Sequence, residues 1–286
     1  MYKALSPGTI GVRPRDLREA VAWAGRHGFG GVEVGAREVA DLVEQEGAAA
    51  VRSVFAAAGV RPAGFGLPID WRGATEAWRA GVEALPRLAR AAAAIGATRC
   101  MTWILPGSDE RPPEENRRFH VERLTPPARI LADAGCRLGL EFLGPKTLRD
   151  GRTYPFIHTM REMLALGAEI GPNVGLLLDS WHWYTSHATL DDVRTLRPEQ
   201  VVYVHVNDAP AGVPVDEQID NVRALPGETG VIDITGFLRA LQAIGYDGPV
   251  VPEPFKQDLR ALPSDEARLA VVSAAMDGIF REAGLA

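Results

Sequence analysis

The residues best equipped for chemistry stand at the ends of short apolar runs. Leu138-Gly139-Leu140 leads into Glu141, Leu176-Leu177-Leu178 into Asp179, Tyr203-Val204 into His205, and Val250-Val251-Pro252 into Glu253. A lone carboxylate in such a place is an ordinary strand-terminal charge. Three brought to one site would repel one another and lose hydration, and a divalent cation removes both penalties. Three carboxylate oxygens and one imidazole nitrogen make a mostly hard donor set. It suits one Mn, Mg or Co ion in octahedral geometry, with Zn as a further option, and leaves positions for substrate oxygens. Counted against one dication, three carboxylates leave a net charge of about −1, which favours a neutral polyol over an anion.

Those four residues need a scaffold that gathers strand ends, and the rest of the chain predicts one. Short β-rich runs alternate with Ala/Leu/Arg-rich stretches of helical period, the pattern of βα units. Strands are expected at Thr9–Val12, Gly31–Val34, Arg61–Phe65, Arg99–Ile104, Arg137–Phe142, Val174–Asp179, Val201–Val206 and Pro249–Glu253. Eight parallel strands close a barrel, and 286 residues suit one. Leu17/Val21/Ala24, Val82/Leu85/Leu88/Ala92 and Phe237/Leu238/Leu241/Ile244 mark the inner faces of outer helices. Gly59, Gly96, Gly135 and Gly245 each close a helix before the next strand. No linker or charge block divides the chain, so residues 1–286 are expected to form a single (β/α)8 TIM barrel of the α/β class. An open doubly wound sheet would fit the alternation too, but the Gly-x-Gly-x-x-Gly turn is missing after the first strand. Two long connections, Pro106–Glu115 and Ala209–Ile232, fall on the face where barrel sites form.

Other side chains near that face carry weaker signals. Trp103 ends the fourth strand and Trp181, Trp183 and Tyr184 follow the sixth; sugars stack on such rings, yet tryptophan also fills barrels. His182 stands three residues beyond Asp179 and is the further histidine with the best claim to function; His187 is ambiguous, and His27, His120 and His158 read as capping, packing or surface residues. Lys146 and Lys256 read as exposed, and Cys100 and Cys136 as buried free thiols.

A formal charge of −6 gives no footprint for nucleic acid, and no basic cluster suggests an anionic membrane. The first residues lack the apolar core of a secretory signal and no apolar run is long enough to span a bilayer, so the expected location is cytoplasmic.

With Asp179-x-x-His182, His205-x-x-Asp208 and the four strand-end residues in view, the chain resembles the xylose isomerase-like barrel superfamily. Within that superfamily it resembles the sugar phosphate isomerase/epimerase group that includes the ketohexose 3-epimerases. Arg223-Ala224-Leu225-Pro226-Gly227-Glu228-Thr229-Gly230-Val231-Ile232-Asp233 is similar to that group's Arg-x-x-Pro-Gly-x-Gly-x-Ile-Asp loop, with one extra residue before the second glycine. The resemblance implies that Glu141, Asp179, His205 and Glu253 hold the metal and that Glu141 and Glu253 exchange a proton with the substrate carbon. It also implies that His182 and Arg223 contact substrate oxygens or orient a catalytic glutamate, with Trp103 and Trp181 as further substrate contacts. A carbohydrate substrate, a metal-stabilised enediolate and a dimeric or tetrameric assembly belong to the same expectation. Three other activities compete: a dehydratase or eliminase acting on an inosose, 3-keto-glycoside or dehydroshikimate; a DNA-repair endonuclease, which six histidines and an acidic chain disfavour; and a non-catalytic binding barrel.

Overall fold

Strands that are apolar on both faces need cover on both sides, and closing them into a ring supplies it. The computed structural model describes residues 1–285. Its barrel strands are β1 (Tyr2–Leu5), β2 (Gly31–Glu33), β3 (Arg61–Gly66), β4 (Arg99–Ile104), β5 (Arg137–Phe142), β6 (Val174–Asp179), β7 (Val201–Val206) and β8 (Pro249–Pro252). They close in chain order, every neighbour pair parallel, with β1 hydrogen-bonded to both β2 and β8. A two-stranded antiparallel patch, Gly107–Ser108 with Tyr154–Pro155, lies outside the ring.

Four strands, β4 to β7, have the boundaries that the sequence predicts. The first does not. Residues 8–10 form a 3-10 turn between Pro7 and Gly11, and the strand lies earlier, at Tyr2–Leu5. Lys3 interrupts the apolar run and hides it, but Lys3 points outward and pairs with Asp277. At the other end of the ring β8 stops at Pro252, although the Glu253 amide still donates to the Val206 carbonyl at 3.2 Å.

Side chains alternate across the ring. Leu138, Leu140, Phe142, Leu176, Leu178, Val204, Val206 and Val250 face outward into the layer shared with the helices. Ala4, Ala63, Met101, Leu177, Tyr203 and Val251 fill the interior. The same period carries Gly139 to Glu141, Leu177 to Asp179, Tyr203 to His205 and Val251 to Glu253. The four candidate ligands therefore form the next layer above a packed plug. Gly64 makes room for that plug: a Cβ there would stand 2.9 Å from the Tyr203 ring and 2.6 Å from the Arg99 carbonyl oxygen.

The outer helices use the faces expected of them, with Leu17, Val21, Leu85, Leu88, Phe237 and Leu241 all buried. Gly59, Gly96, Gly135 and Gly245 take positive φ between 65° and 95°, the conformation a terminating glycine supplies. Cys100 and Cys136 are free and buried. Among the described residues no helix is long and apolar enough to cross a membrane.

Candidate metal centre and active site

Glu141, Asp179, His205 and Glu253 each offer a ligand atom, and these atoms lie within 4.8 Å of one another. Glu141, Asp179 and His205 are buried and the Glu253 side chain is nearly so. From His205 Nδ1 to Glu253 Oε2 is 3.3 Å and to Glu141 Oε1 3.6 Å. Neither His205 nitrogen and not Glu141 Oε1 has a hydrogen-bond partner, although all three atoms are buried. Buried polar atoms without partners are costly. A hard cation between Nδ1 and the three carboxylates would satisfy Nδ1 and Glu141 Oε1, so the donor set fits a divalent ion.

The electrostatics point the same way. Burial pushes the Glu141 carboxyl up to about 8, with the Glu253 charge adding to the effect. Asp179 is raised by burial as well, in spite of Arg223. Burial works against charge on Glu253 too, but His205 and Arg223 hold it below its ordinary value. His205, which burial alone would keep neutral, is raised well above the usual range by Glu253 and Glu141. Protons thus gather where a cation would sit.

Around this layer the structure fixes orientation. Arg223, itself buried, donates from Nη1 to Asp179 Oδ2 at 2.9 Å and to Glu253 Oε2 at 3.0 Å, and from Nη2 to Asp220 at 2.8 Å. Asp179 Oδ1 accepts from the Trp181 amide at 2.7 Å and from Asn207 Nδ2 at 2.9 Å. His182 Nδ1 accepts from the Gly144 amide at 3.2 Å, and its Nε2 lies 3.4 Å from the donor Arg223 Nη2 and 3.9 Å from Glu141 Oε1. Burial and Arg223 hold His182 neutral by pulling its pKa well down. Gly144 must be a glycine for this approach, because a Cβ would meet the His182 carbonyl oxygen at 2.4 Å.

Of the residues proposed to touch substrate, three line the cavity over the cluster. Trp103, His182 and Arg223 share a space of about 320 Å³ with Glu141, Glu253 and Phe255. An adjoining lobe of about 310 Å³ brings Glu33, Arg72 and Trp103 to Glu141, His205 and Glu253. Trp181 lines neither lobe. Its ring is fully buried beneath Arg223, 5.2 Å from the guanidinium carbon, where it supports that side chain. His187 is exposed and pairs with Asp216 at 2.7 Å, away from the cluster.

Three residues escape a reading by strand ends. Glu33 closes β2 and accepts from Tyr203 Oη at 3.0 Å, with His205 Nε2 3.9 Å away. Asn207 is buried and its role depends on a contact with Asp179 that only the fold creates. Asp208, also fully buried, accepts four backbone amides, those of Ala209, Thr229, Gly230 and Ile232, at 2.8 to 3.0 Å. Its place in His205-x-x-Asp208 suggested chemistry; its contacts make it a staple for the loop that carries Arg223.

A family model described as a xylose isomerase-like TIM barrel matches residues 21–276. A xylose isomerase domain protein from Alicyclobacillus acidocaldarius superposes with a TM-score of 0.85 at 31% identity, covering 99% of each chain. An inosose isomerase of Bacillus subtilis is 27% identical over 157 residues, 54% of this chain and 52% of its own. A 3-dehydroshikimate dehydratase of Pseudomonas putida is 30% identical over 138 residues, 48% of this chain and 21% of its own. The matches thus span about half the length of the isomerase and about a fifth of the dehydratase.

Proposed function

The chain belongs to the xylose isomerase-like TIM-barrel family, and from that premise we propose that it is a divalent-metal-dependent isomerase or epimerase of a keto-sugar or keto-polyol. The observation that carries the reading is the buried cluster itself: three carboxylates and a histidine within 4.8 Å, with Glu141 Oε1 and His205 left without partners. A divalent ion bound there would act as a Lewis acid, acidifying the C–H beside a substrate carbonyl. Glu141 and Glu253 rise from different walls of the barrel and converge on one cavity, so that one carboxylate takes a proton from the carbon and the other returns one. Arg223 orients them, fixing Glu253 and Asp179, and its Nη2 also reaches His182 Nε2 at 3.4 Å, which sets that ring beside Glu141. Trp103 offers an aromatic face at the mouth for a sugar's C–H groups.

A second reading, a dehydratase, draws on the Pseudomonas putida match. It uses the same proton abstraction, by Glu253, and then protonates a departing hydroxyl, for which the raised carboxyl of Glu141 lines the same cavity. One experiment tests both. In D2O with added Mn, a panel of keto-sugars and cyclic keto-polyols should give products deuterated at the carbon that changes, and chelation should stop turnover. Release of water from the substrate selects the dehydratase. E141Q and E253Q should each lose turnover by roughly 10²-fold or more while remaining folded. Turnover that is untouched by chelator, or an active double variant, would overturn the proposal.

A further inference from the structure

Three arginines near the mouth have carboxylate partners: Arg223 with Asp179, Asp220 and Glu253, Arg152 with Asp109 at 2.6 Å, and Arg111 with Glu110 at 3.6 Å. Lys146 and Lys256 are likewise paired, with Asp150 and Glu228. Arg72 is different. It lies half-buried between two indoles, its guanidinium carbon 4.0 Å from the Trp71 ring and 3.7 Å from the Trp103 ring. Its Nη2 donates to the Trp103 carbonyl, its buried Nε has no partner, and it forms no ion pair among the described residues. Trp71 is in turn held by a 3.1 Å bond from Nε1 to Thr102 Oγ1, which fixes that side of the stack.

We propose that Arg72 receives an anionic group, carboxylate or phosphate, carried by the substrate on the side away from the metal-facing carbonyl. The inference rests on reading the cavity as the substrate site and names the class of substrate it takes. Arg72 lines the same lobe, about 310 Å³, as Glu141, His205 and Glu253, so one small molecule spans both ends. The stacked faces are covered by indole, Nε is buried and Nη2 is held by the Trp103 carbonyl, which leaves the Nη1 side of the guanidinium for an oxyanion. Burial draws its pKa down to about 10 against the opposing charge of Asp70, and an arginine remains protonated there at neutral pH. The attraction is local rather than a net positive field: the ligand set against one dication leaves about −1, Arg223 is matched by Asp220, and Glu33 adds a further negative charge to the lobe. Among the described residues Arg72 is the cation of that lobe without an ion pair, so it selects a substrate whose carboxylate or phosphate lies at its end, away from the acidic cluster.

The test uses the Mg-loaded protein, titrated with acetate, with inorganic phosphate and with glycerol as the uncharged control. Arg72 side-chain N–H resonances and tryptophan fluorescence report binding beside Trp71 and Trp103. The expected result is saturable binding of an anion in the millimolar range, absent for glycerol, weakened at least roughly tenfold in R72Q and partly restored in R72K. Preference for acetate identifies a carboxylate source and preference for phosphate a phosphoryl one. No saturable response to either anion, or an equal response in R72Q, overturns the proposal. Metal content is measured on the same samples. An anion response without bound metal sinks the proposed reaction and leaves the anion site standing, whereas bound metal without a response sinks the anion site alone.

Discussion

Glu33 illustrates how a residue with no motif acquires a role. Its carboxylate, held by Tyr203 Oη at 3.0 Å, is the negative charge facing His205 Nε2, whereas Nδ1 faces Glu141 and Glu253. A charge on that side keeps the imidazole proton on Nε2 and leaves the Nδ1 lone pair free for a cation. E33Q should therefore lower divalent-metal affinity by roughly tenfold, as changes behind a ligand commonly do, with the fold intact. Calorimetric titration of Mn into both proteins would read it, and equal affinities would refute the role. The strand-end pattern made Glu141, Asp179, His205 and Glu253 legible because each closes an apolar run. Glu33 closes the three-residue run Gly31–Glu33 and so lacked that contrast. Trp181 failed differently: sequence shows that an indole follows β6, but not that the turn after Asp179 buries it.

Elements that carry the site are held by backbone as much as by side chains. The loop after β7 looks, from its length and glycines, like a lid that closes on substrate. In the structure its second half is tied down, by the Asp208–Ala224 bridge and by the four amides that converge on Asp208. Arg223 precedes the tied segment and is delivered to Asp179 already oriented. D208A should release residues 224–232, raising their amide exchange by at least roughly tenfold and costing about 2–4 kcal/mol of stability. Unchanged exchange there would show that the loop holds itself. The helices were readable from period and terminal glycine because both signals are local. The first strand was not, since Lys3 broke its apolar run for the sake of an ion pair with a helix at the far end of the chain.

Across the whole molecule, stability is linked to pH through the protons of the buried cluster. Glu141 has a folded-state value of about 8 against an ordinary 4.5, so between those values the folded state binds more protons than the unfolded one. Stability from this group is complete below about 4.5 and is lost as pH rises through about 8. The metal-free protein should thus melt at lower temperature at about pH 9 than at about pH 6, and saturating Mn should flatten or reverse the trend. Melting curves with and without chelator would decide it, and a metal-free protein more stable at the higher pH would contradict the assignment. The ring also ties the site to positions with no chemistry of their own. Tyr203 stands in the space Gly64 leaves open, and two residues along the same strand is His205. G64A meets the Arg99 carbonyl oxygen at 2.6 Å and that ring at 2.9 Å, so the added methyl should both destabilise the barrel and weaken Mn binding through the strand that carries His205. A survey that scores variants by function alone would place Gly64 beside the ligands, and only a separate measure of folding would tell the two kinds of intolerance apart.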